Sequence, residues 1–229
     1  MNGFTTNFTA TWMLPCPLDL LHVEIRPGWW LSGERSLFLE LERTLVVADI
    51  HWGYAQSHRR AGNLLPLWGN EATAERLRRL LHHYKPARMI WLGDSLHKPH
   101  DAEAAEEFLA EFAQVETILI AGNHDRKWKR ADRREFVLGG CFFHHGHLVH
   151  EVEPQLIEVT GHVHPAFSWS DGAGLRLKLH ALVEGPGRII LPSFSDWSSG
   201  TNWQDELREG ERLWVISPKK IWPVVRGNR

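Results

Sequence analysis

The sequence predicts an α/β fold, and three observations carry that prediction. First, the runs 44–48 (TLVVA), 88–92 (RMIWL) and 116–121 (ETILIA) are short and continuously apolar. They lack the alternation of a sheet wetted on one face, so they read as strands buried on both faces. Second, amphipathic segments separate them. Leu77, Leu80, Leu81 and Tyr84 lie on one helical face, as do Ala105, Phe108, Leu109 and Phe112, with Asp101 placed as an N-cap for the latter. Strand and helix thus alternate as β-α-β-α-β, the pattern of parallel crossovers. Third, each run ends in a polar residue able to bind a metal: Asp49, Asp94 after Gly93, and Asn123 after Gly122. Ligands bind outside the carboxyl ends of strands in open α/β sheets, so these three residues are expected along one rim.

The chain beyond residue 135 is richer in short strands and turns. Segments 137–143, 156–160, 175–183, 187–191 and 212–217 read as a second, largely antiparallel or mixed sheet. Residues 165–185 fit either a sheet edge or a loop on the substrate side. With no repeat, low-complexity tract or linker, residues 1–229 are expected to form a single domain.

Hydrophobic residues at 43% and charged residues at 24% are globular values and argue against disorder. The 26 Lys+Arg and 28 Asp+Glu give a net charge of −2, which excludes a strongly cationic nucleic-acid coat protein but not a local basic patch. No run reaches the ~20 apolar residues of a membrane span. Residues 1–18 carry no basic side chain and Pro15 and Pro17 interrupt their apolar stretch, which argues against a secretory signal. Two cysteines, Cys16 and Cys141, form no metal or disulfide framework, and a reduced, cytoplasmic setting is expected.

The 15 histidines matter by position. Five clusters stand out: Asp49-Ile50-His51, Gly93-Asp94, Gly122-Asn123-His124-Asp125, His145-Gly146-His147 and Gly161-His162-Val163-His164. In an extended segment, residues i and i+2 share a side, so Asp49 with His51, and His162 with His164, can grip one ion. The glycines before Asp94, Asn123 and His162 suit tight turns where backbone approaches an ion or phosphate. Carboxylate, amide and imidazole ligands without thiolate favour transition metals over a cysteine-type zinc site. Seven candidate ligands exceed one four-coordinate ion and suit two ions ~3.5–4 Å apart, an arrangement used for phosphoester hydrolysis.

In this order the five motifs resemble the calcineurin-like metallophosphoesterase superfamily. The resemblance implies a four-layer αββα sandwich of two mixed β-sheets flanked by helices. It implies that Asp49, His51 and His164 bind one metal, that Asn123, His145 and His162 bind a second, and that Asp94 bridges both. His124 would act as acid and transition-state stabiliser beside the phosphate, oriented by Asp125. His144 is the alternative to His145, which is favoured because it opens the His-Gly-His pattern; His147 reads as an outer or phosphate-contacting group. Water between two cations loses its proton near neutral pH and attacks phosphorus in line, while the metals and protonated His124 offset charge on the phosphoryl and leaving oxygens. The metals implied are two divalent transition ions, foremost Mn²⁺, with Fe²⁺ and Zn²⁺ also suited to the ligand set.

Gly93-Asp94-Ser95-Leu96-His97-Lys98 and Gly122-Asn123-His124-Asp125 differ from the Asp-Arg pair and GNHE of the superfamily's Ser/Thr protein phosphatases. VADIHWGY (47–54), RRAGNLLP (59–66), GDSLHK (93–98), GHVHPA (161–166) and ILPSFSDWSSG (190–200) instead resemble the ligase-associated DNA damage response endonucleases (PdeM-type). Members usually carry Lys where Tyr54 stands. This likeness implies a phosphodiesterase that cuts DNA, single-stranded by preference, in a repair system with a DNA ligase and an associated nuclease or helicase, and with no membrane association. Two alternatives stand beside it: a phosphodiesterase or phosphatase for a small nucleotide-like substrate, and a silent scaffold of the same fold, against which the presence of Asn123 and His124 argues.

Residues 126–134 (RKWKRADRR) place six basic side chains after the third motif, and this cluster is a candidate polyanion track. Within it Arg126 and Lys127 are candidate phosphate contacts and Trp128 a candidate base-stacking residue. Arg59, Arg60 and His97 complete the candidate substrate contacts. His58, His82, His83, His100, His150 and His180 lie outside the motifs and read as surface or structural.

Overall fold

The computed structural model describes residues 20–66 and 69–226; Pro15, Cys16 and Pro17 lie outside these. The first sheet runs β1 (His22–Arg26), β2 (Trp29–Ser32), β3 (Leu37–Leu39), β4 (Thr44–Val47), β5 (Arg88–Leu92) and β6 (Glu116–Ile120), side by side in that order. Strands β4, β5 and β6 are parallel, as the crossover pattern predicts, whereas β1 to β4 form an antiparallel meander. The helices α1 (Tyr54–Arg60), α2 (Gly69–Tyr84) and α3 (Ala102–Glu111) belong to the crossovers.

The apolar runs lack alternation because each strand feeds two cores. Leu45, Val47, Met89, Trp91 and Leu119 face the helices and pack with Leu77, Leu80, Leu81, Ala105, Phe108 and Leu109. The intervening Val46, Ile90, Leu92, Ile118 and Ile120 face the second sheet and meet Cys141, Phe143, Val159 and Ile189. Period-two alternation is therefore present, with both faces dry.

The second sheet contains β7 (Glu135–Leu138), β8 (Cys141–His144), β9 (Ile157–Thr160), β10 (Pro165–Ser170), β11 (Arg176–Glu184), β12 (Arg188–Ile190) and β13 (Thr201–Asn202), with β14 (Arg212–Ile216) pairing β11 and β15 (Ile221–Val225) pairing β14. It is mixed, with β8, β9 and β12 parallel neighbours. The expected strand 137–143 is instead a hairpin: Gly139 and Gly140, both at positive φ (57° and 75°), reverse the chain inside it. Residues 165–185 are mostly the β10–β11 hairpin. The helical layer and the two sheets follow the expected sandwich, but the outer face of the second sheet is covered by the non-helical segment carrying Trp203 and Leu207, which packs on Ala181, Val183, Leu213 and Val215.

Asp101 occupies the N-cap position of α3 but its side chain does not cap that helix. Oδ2 accepts instead from the Lys98 backbone N–H (3.1 Å) and the Ser57 hydroxyl (3.0 Å), tying α1 to the turn before α3. No helix among the described residues is long and apolar enough to cross a membrane.

Candidate active site

The motif loops leave the carboxyl ends of β4, β5 and β6 and are stitched together by backbone bonds from Asp49 N to Gly93 O (3.2 Å) and His51 N to Asp94 O (2.9 Å). Asp49, His51, Asp94, His162 and His164 all have positive φ, between 45° and 70°. The i, i+2 pairs are therefore brought together by left-handed turns, not by extended backbone. Such conformations cost roughly 1–3 kcal/mol each and persist where surrounding contacts over-determine them.

The glycines make room for ligand side chains more than for an ion. A Cβ on Gly122 would overlap the Asp94 carboxylate and backbone nitrogen, and one on Gly93 would overlap the His145 ring.

Two donor groups form. Asp49, His51 and His164 offer one atom each within 4.8 Å of one another, and so do Asp94, His145 and His162. Asn123 joins the second group, its Oδ1 3.3 Å from His145 Nε2. Asp94 lies between the groups: Oδ2 is 3.5 Å from His145 Nε2 and 4.0 Å from His51 Nε2. His144 points elsewhere, its Nε2 2.8 Å from the Glu158 carboxylate.

Each anchored donor has one atom tied and another left over. Asp49 Oδ2 accepts the His162 backbone N–H (2.9 Å), while Oδ1 is buried without a hydrogen-bond partner. Asp94 Oδ1 accepts the His124 backbone N–H (2.9 Å), leaving Oδ2 inward. His145 Nδ1–H donates to the Leu92 carbonyl (3.1 Å), so Nε2 is the nitrogen turned toward Asp94 and is the one that would bind a metal once its proton is displaced. His164 Nδ1 is hydrogen-bonded to Ser198 Oγ, and its buried Nε2, without a partner, lies 3.2 Å from Asp49 Oδ1. Buried polar atoms are nearly always paired. Orphaned donor atoms aimed at each other are what a divalent cation would satisfy, and the donor types fit a transition metal. A further group, His51, His97 and His124, also comes within 4.8 Å.

Burial pushes His51 down to about 4 against the pull of Asp49 and Asp94. It pushes His97 to about 4 as well, helped by the charges of His51 and His124. Burial opposes ionisation of Asp94, but the His145 hydrogen bond and charge hold its carboxyl well below the usual range. The lowered His51 and the ionised Asp94 are in the forms that bind metal, whereas His145, pushed up against the effect of its burial by its hydrogen bond to Asp94 and the charges of Asp49 and Asp94, must release a proton to do so.

His124 sits on the rim, its ring 5.0 Å from that of His51, and its Nδ1–H donates to the His97 carbonyl (3.2 Å). This corrects the expectation for Asp125. That carboxylate accepts the backbone N–H groups of Gly122 (3.0 Å), Ser95 (3.1 Å) and Leu96 (2.9 Å), so it braces the loops carrying Asp94 and Asn123 and leaves the ring of His124 to His97. His147 stands near the second group, its ring 5.1 Å from that of His145.

The basic segment divides. Arg126 and Lys127 are exposed, and the Arg126 charge is felt at His147. Trp128 is 7% exposed, packs near Trp91 and donates its indole N–H to Glu106 (2.9 Å), so it is core and not a stacking surface. Trp128→Ala is expected to cost about 3–5 kcal/mol of stability. A chemical denaturation curve checks this; a stacking role would instead weaken DNA binding with stability unchanged. Arg59 and Arg60 are exposed on the last turn of α1, where Arg59 donates to the Leu65 carbonyl (2.7 Å) and Arg60 pairs with Asp101 (3.5 Å).

Ser198 and the loop around it are site elements that no single-residue pattern exposed. Segment 193–195 docks beside the first motif, with Phe194 N bonded to Ala48 O (2.8 Å) and Ser195 N to Asp49 O (3.1 Å). Two buried arginines hold it: Arg76 donates to the Phe194 carbonyl (2.8 Å), Arg35 to the Ser195 carbonyl (3.1 Å), and both pair with Asp196. Arg35 also donates to His180 Nε2 (2.7 Å), so that histidine must be neutral. Burial and the Arg35 charge push His180 to about 3.

A histidine lowered on folding contributes stability that is complete above its unfolded value near 6.5 and is lost as pH falls from there toward 3. The metal-free protein is expected to lose melting temperature between pH 7 and pH 5. His180→Gln, which keeps an acceptor for Arg35 without a proton to gain, should reduce that loss by about 3 °C. An unchanged pH dependence in this variant would contradict the assignment.

The calcineurin-like phosphoesterase profile matches residues 42–216, which takes in every motif above. The chain belongs to the calcineurin-like phosphoesterase family. Its family membership makes it a metal-dependent phosphoesterase. The structure is similar to that of Pseudomonas putida nuclease MPE, with a TM-score of 0.68 and 25% identity over 90% of this chain and 100% of that one. Yfce, a phosphoesterase from E. coli, superposes loosely, with a TM-score of 0.43 and 17% identity over 80% of this chain and 99% of that one. A comparison with curated protein sequences gives no match.

Proposed function

We propose that this phosphoesterase is a two-metal phosphodiesterase that cleaves DNA internally, single strands by preference. The observation that carries the reading is the pair of donor groups sharing Asp94, whose Oδ2 stands 3.5 Å from one group and 4.0 Å from the other. Asp49, His51 and His164 would hold one divalent ion, and Asn123, His145 and His162 the other, with Asp94 facing both. Mn²⁺ is the first candidate, with Fe²⁺ and Zn²⁺ compatible with the same donors. Bound ions supply activated water and neutralise phosphoryl charge. The chain's own residues then orient and protonate. The His97 carbonyl accepts from His124 Nδ1–H, which leaves Nε2 as the free ring nitrogen; in the protonated ring it would donate to a phosphoryl or leaving oxygen. Asp125 keeps the Asp94 and Asn123 loops in register. Exposed Arg126 and Lys127 would steer a polyanion toward the rim.

The structural likeness to a nuclease over that chain's full length supports a nucleic-acid substrate. The PdeM-like motifs support the further reading of a cytoplasmic DNA repair enzyme working with a ligase and an associated nuclease or helicase, on one domain spanning residues 1–229. The test is incubation with circular single-stranded DNA and Mn²⁺. Loss of the circle requires internal cleavage and is the expected result. An intact circle, alongside turnover of a chromogenic diester, would replace DNA by a small nucleotide-like substrate. An intact circle with no turnover of either would support the silent scaffold.

A further inference from the structure

A cleft of about 650 Å³ opens beside the Asp49–His51–His164 group, and one of its walls is aromatic. The ring of Tyr54 is in contact with those of His58, His97 and Trp197. Tyr54 and His58 stack at 4.3 Å between centroids, and Tyr54 and Trp197 lie at 5.7 Å with planes only 6° apart. Tyr54 and Trp197 line the cleft together with His51 and His164. Trp197 is partly exposed and stacks on no second ring among the described residues.

The indole is held in place before any ligand arrives. Tyr54 lies on one face, the backbone N–H of Trp197 donates to Ser195 Oγ (3.2 Å), and a Cβ on Gly69 would sit 3.0 Å from Trp197 Nε1. The next residue, Ser198, is bonded to His164. One short loop thus sets both a metal-type donor and a planar apolar surface beside it. Trp203 also lines the cleft, and its indole N–H is buried and meets no acceptor. A flat π surface beside a metal-type donor group matches the ring of a base next to its phosphate.

We propose that Trp197, backed by Tyr54, is a stacking platform for the base of an unpaired nucleotide flanking the phosphate that is cleaved. The proposal rests on the nuclease reading above and adds the residues that recognise the single strand. A base in a duplex already stacks on its neighbours; an unpaired base has a free face, and the platform takes any of the four because each has one. Trp197 is here a specificity residue, removed from the bond that breaks.

The test is a set of single-stranded oligonucleotides in which one abasic residue is walked past a defined cleavage position. Wild-type protein with Mn²⁺ is expected to lose roughly 5- to 150-fold in kcat/KM when the abasic residue falls at one particular flanking position, the range set by base–aromatic stacking. Trp197→Ala should cut the intact and abasic strands at equal rates, and Trp197→Phe should restore the difference. Each variant is compared with itself, so a general loss of activity does not mimic the effect. If wild-type protein cuts the strands with no position-dependent penalty, the platform is wrong and the nuclease reading stands. The same holds if Trp197→Ala keeps the penalty. If no strand is cut while a chromogenic diester turns over, the nuclease reading fails and the platform falls with it.

Discussion

Asp94→Asn is expected to lower phosphodiester turnover by about 10²–10³-fold, the scale on which loss of one contact to developing charge is felt. The substitution keeps the shape of the side chain, so the His124 backbone N–H still finds an acceptor oxygen at the position of Oδ1. What disappears is the negative charge of a carboxylate that faces both donor groups. Metal loading should fall together with turnover, and thermal melting without metal should change little. A variant that loses turnover while keeping full metal content would place the role of Asp94 elsewhere. Gly122 bears on the same carboxylate, because any side chain there would displace it.

The second large effect is expected at His124. His124→Ala should reduce cleavage of DNA by about 10²–10⁴-fold, the usual contribution of a positioned acid–base group. Metal content should be unchanged, because His124 belongs to neither of the two donor groups that share Asp94. The size of the loss should depend on the leaving group. A p-nitrophenyl ester departs as a stabilised anion and needs little protonation, so its hydrolysis should suffer less than that of DNA. Equal losses on both substrates would mean that His124 acts on the phosphoryl oxygens alone. Loss of metal from the variant would mean that the His51–His97–His124 group holds an ion.

The centre of the site was legible in the sequence because its residues cluster in short motifs at strand ends. Asp49, Asp94 and Asn123 follow three apolar runs, and the fold places those ends together. The partners that orient them were not legible. The Leu92 and His97 carbonyls are backbone groups, and any residue supplies one. Ser198 lies 34 positions from His164 and arrives through a loop pinned by buried arginines. Adjacency in sequence ties Asp125 to His124, whereas in the fold three backbone N–H groups capture its carboxylate. The basic residues around Trp128 suggest a wet surface, but its own ring turns inward. In the fold, the parallel strands are marked by their apolarity, while β1 to β3 are short, of five, four and three residues, and only β1 (HVEIR) alternates. The β7–β8 hairpin hid behind two glycines inside one apolar stretch.

The most direct measurement is anomalous diffraction from crystals grown with Mn²⁺. The account predicts two peaks per chain, one against Asp49, His51 and His164 and one against Asn123, His145 and His162, with Asp94 touching both. A single peak, or a peak on His51, His97 and His124 in place of either, would contradict it.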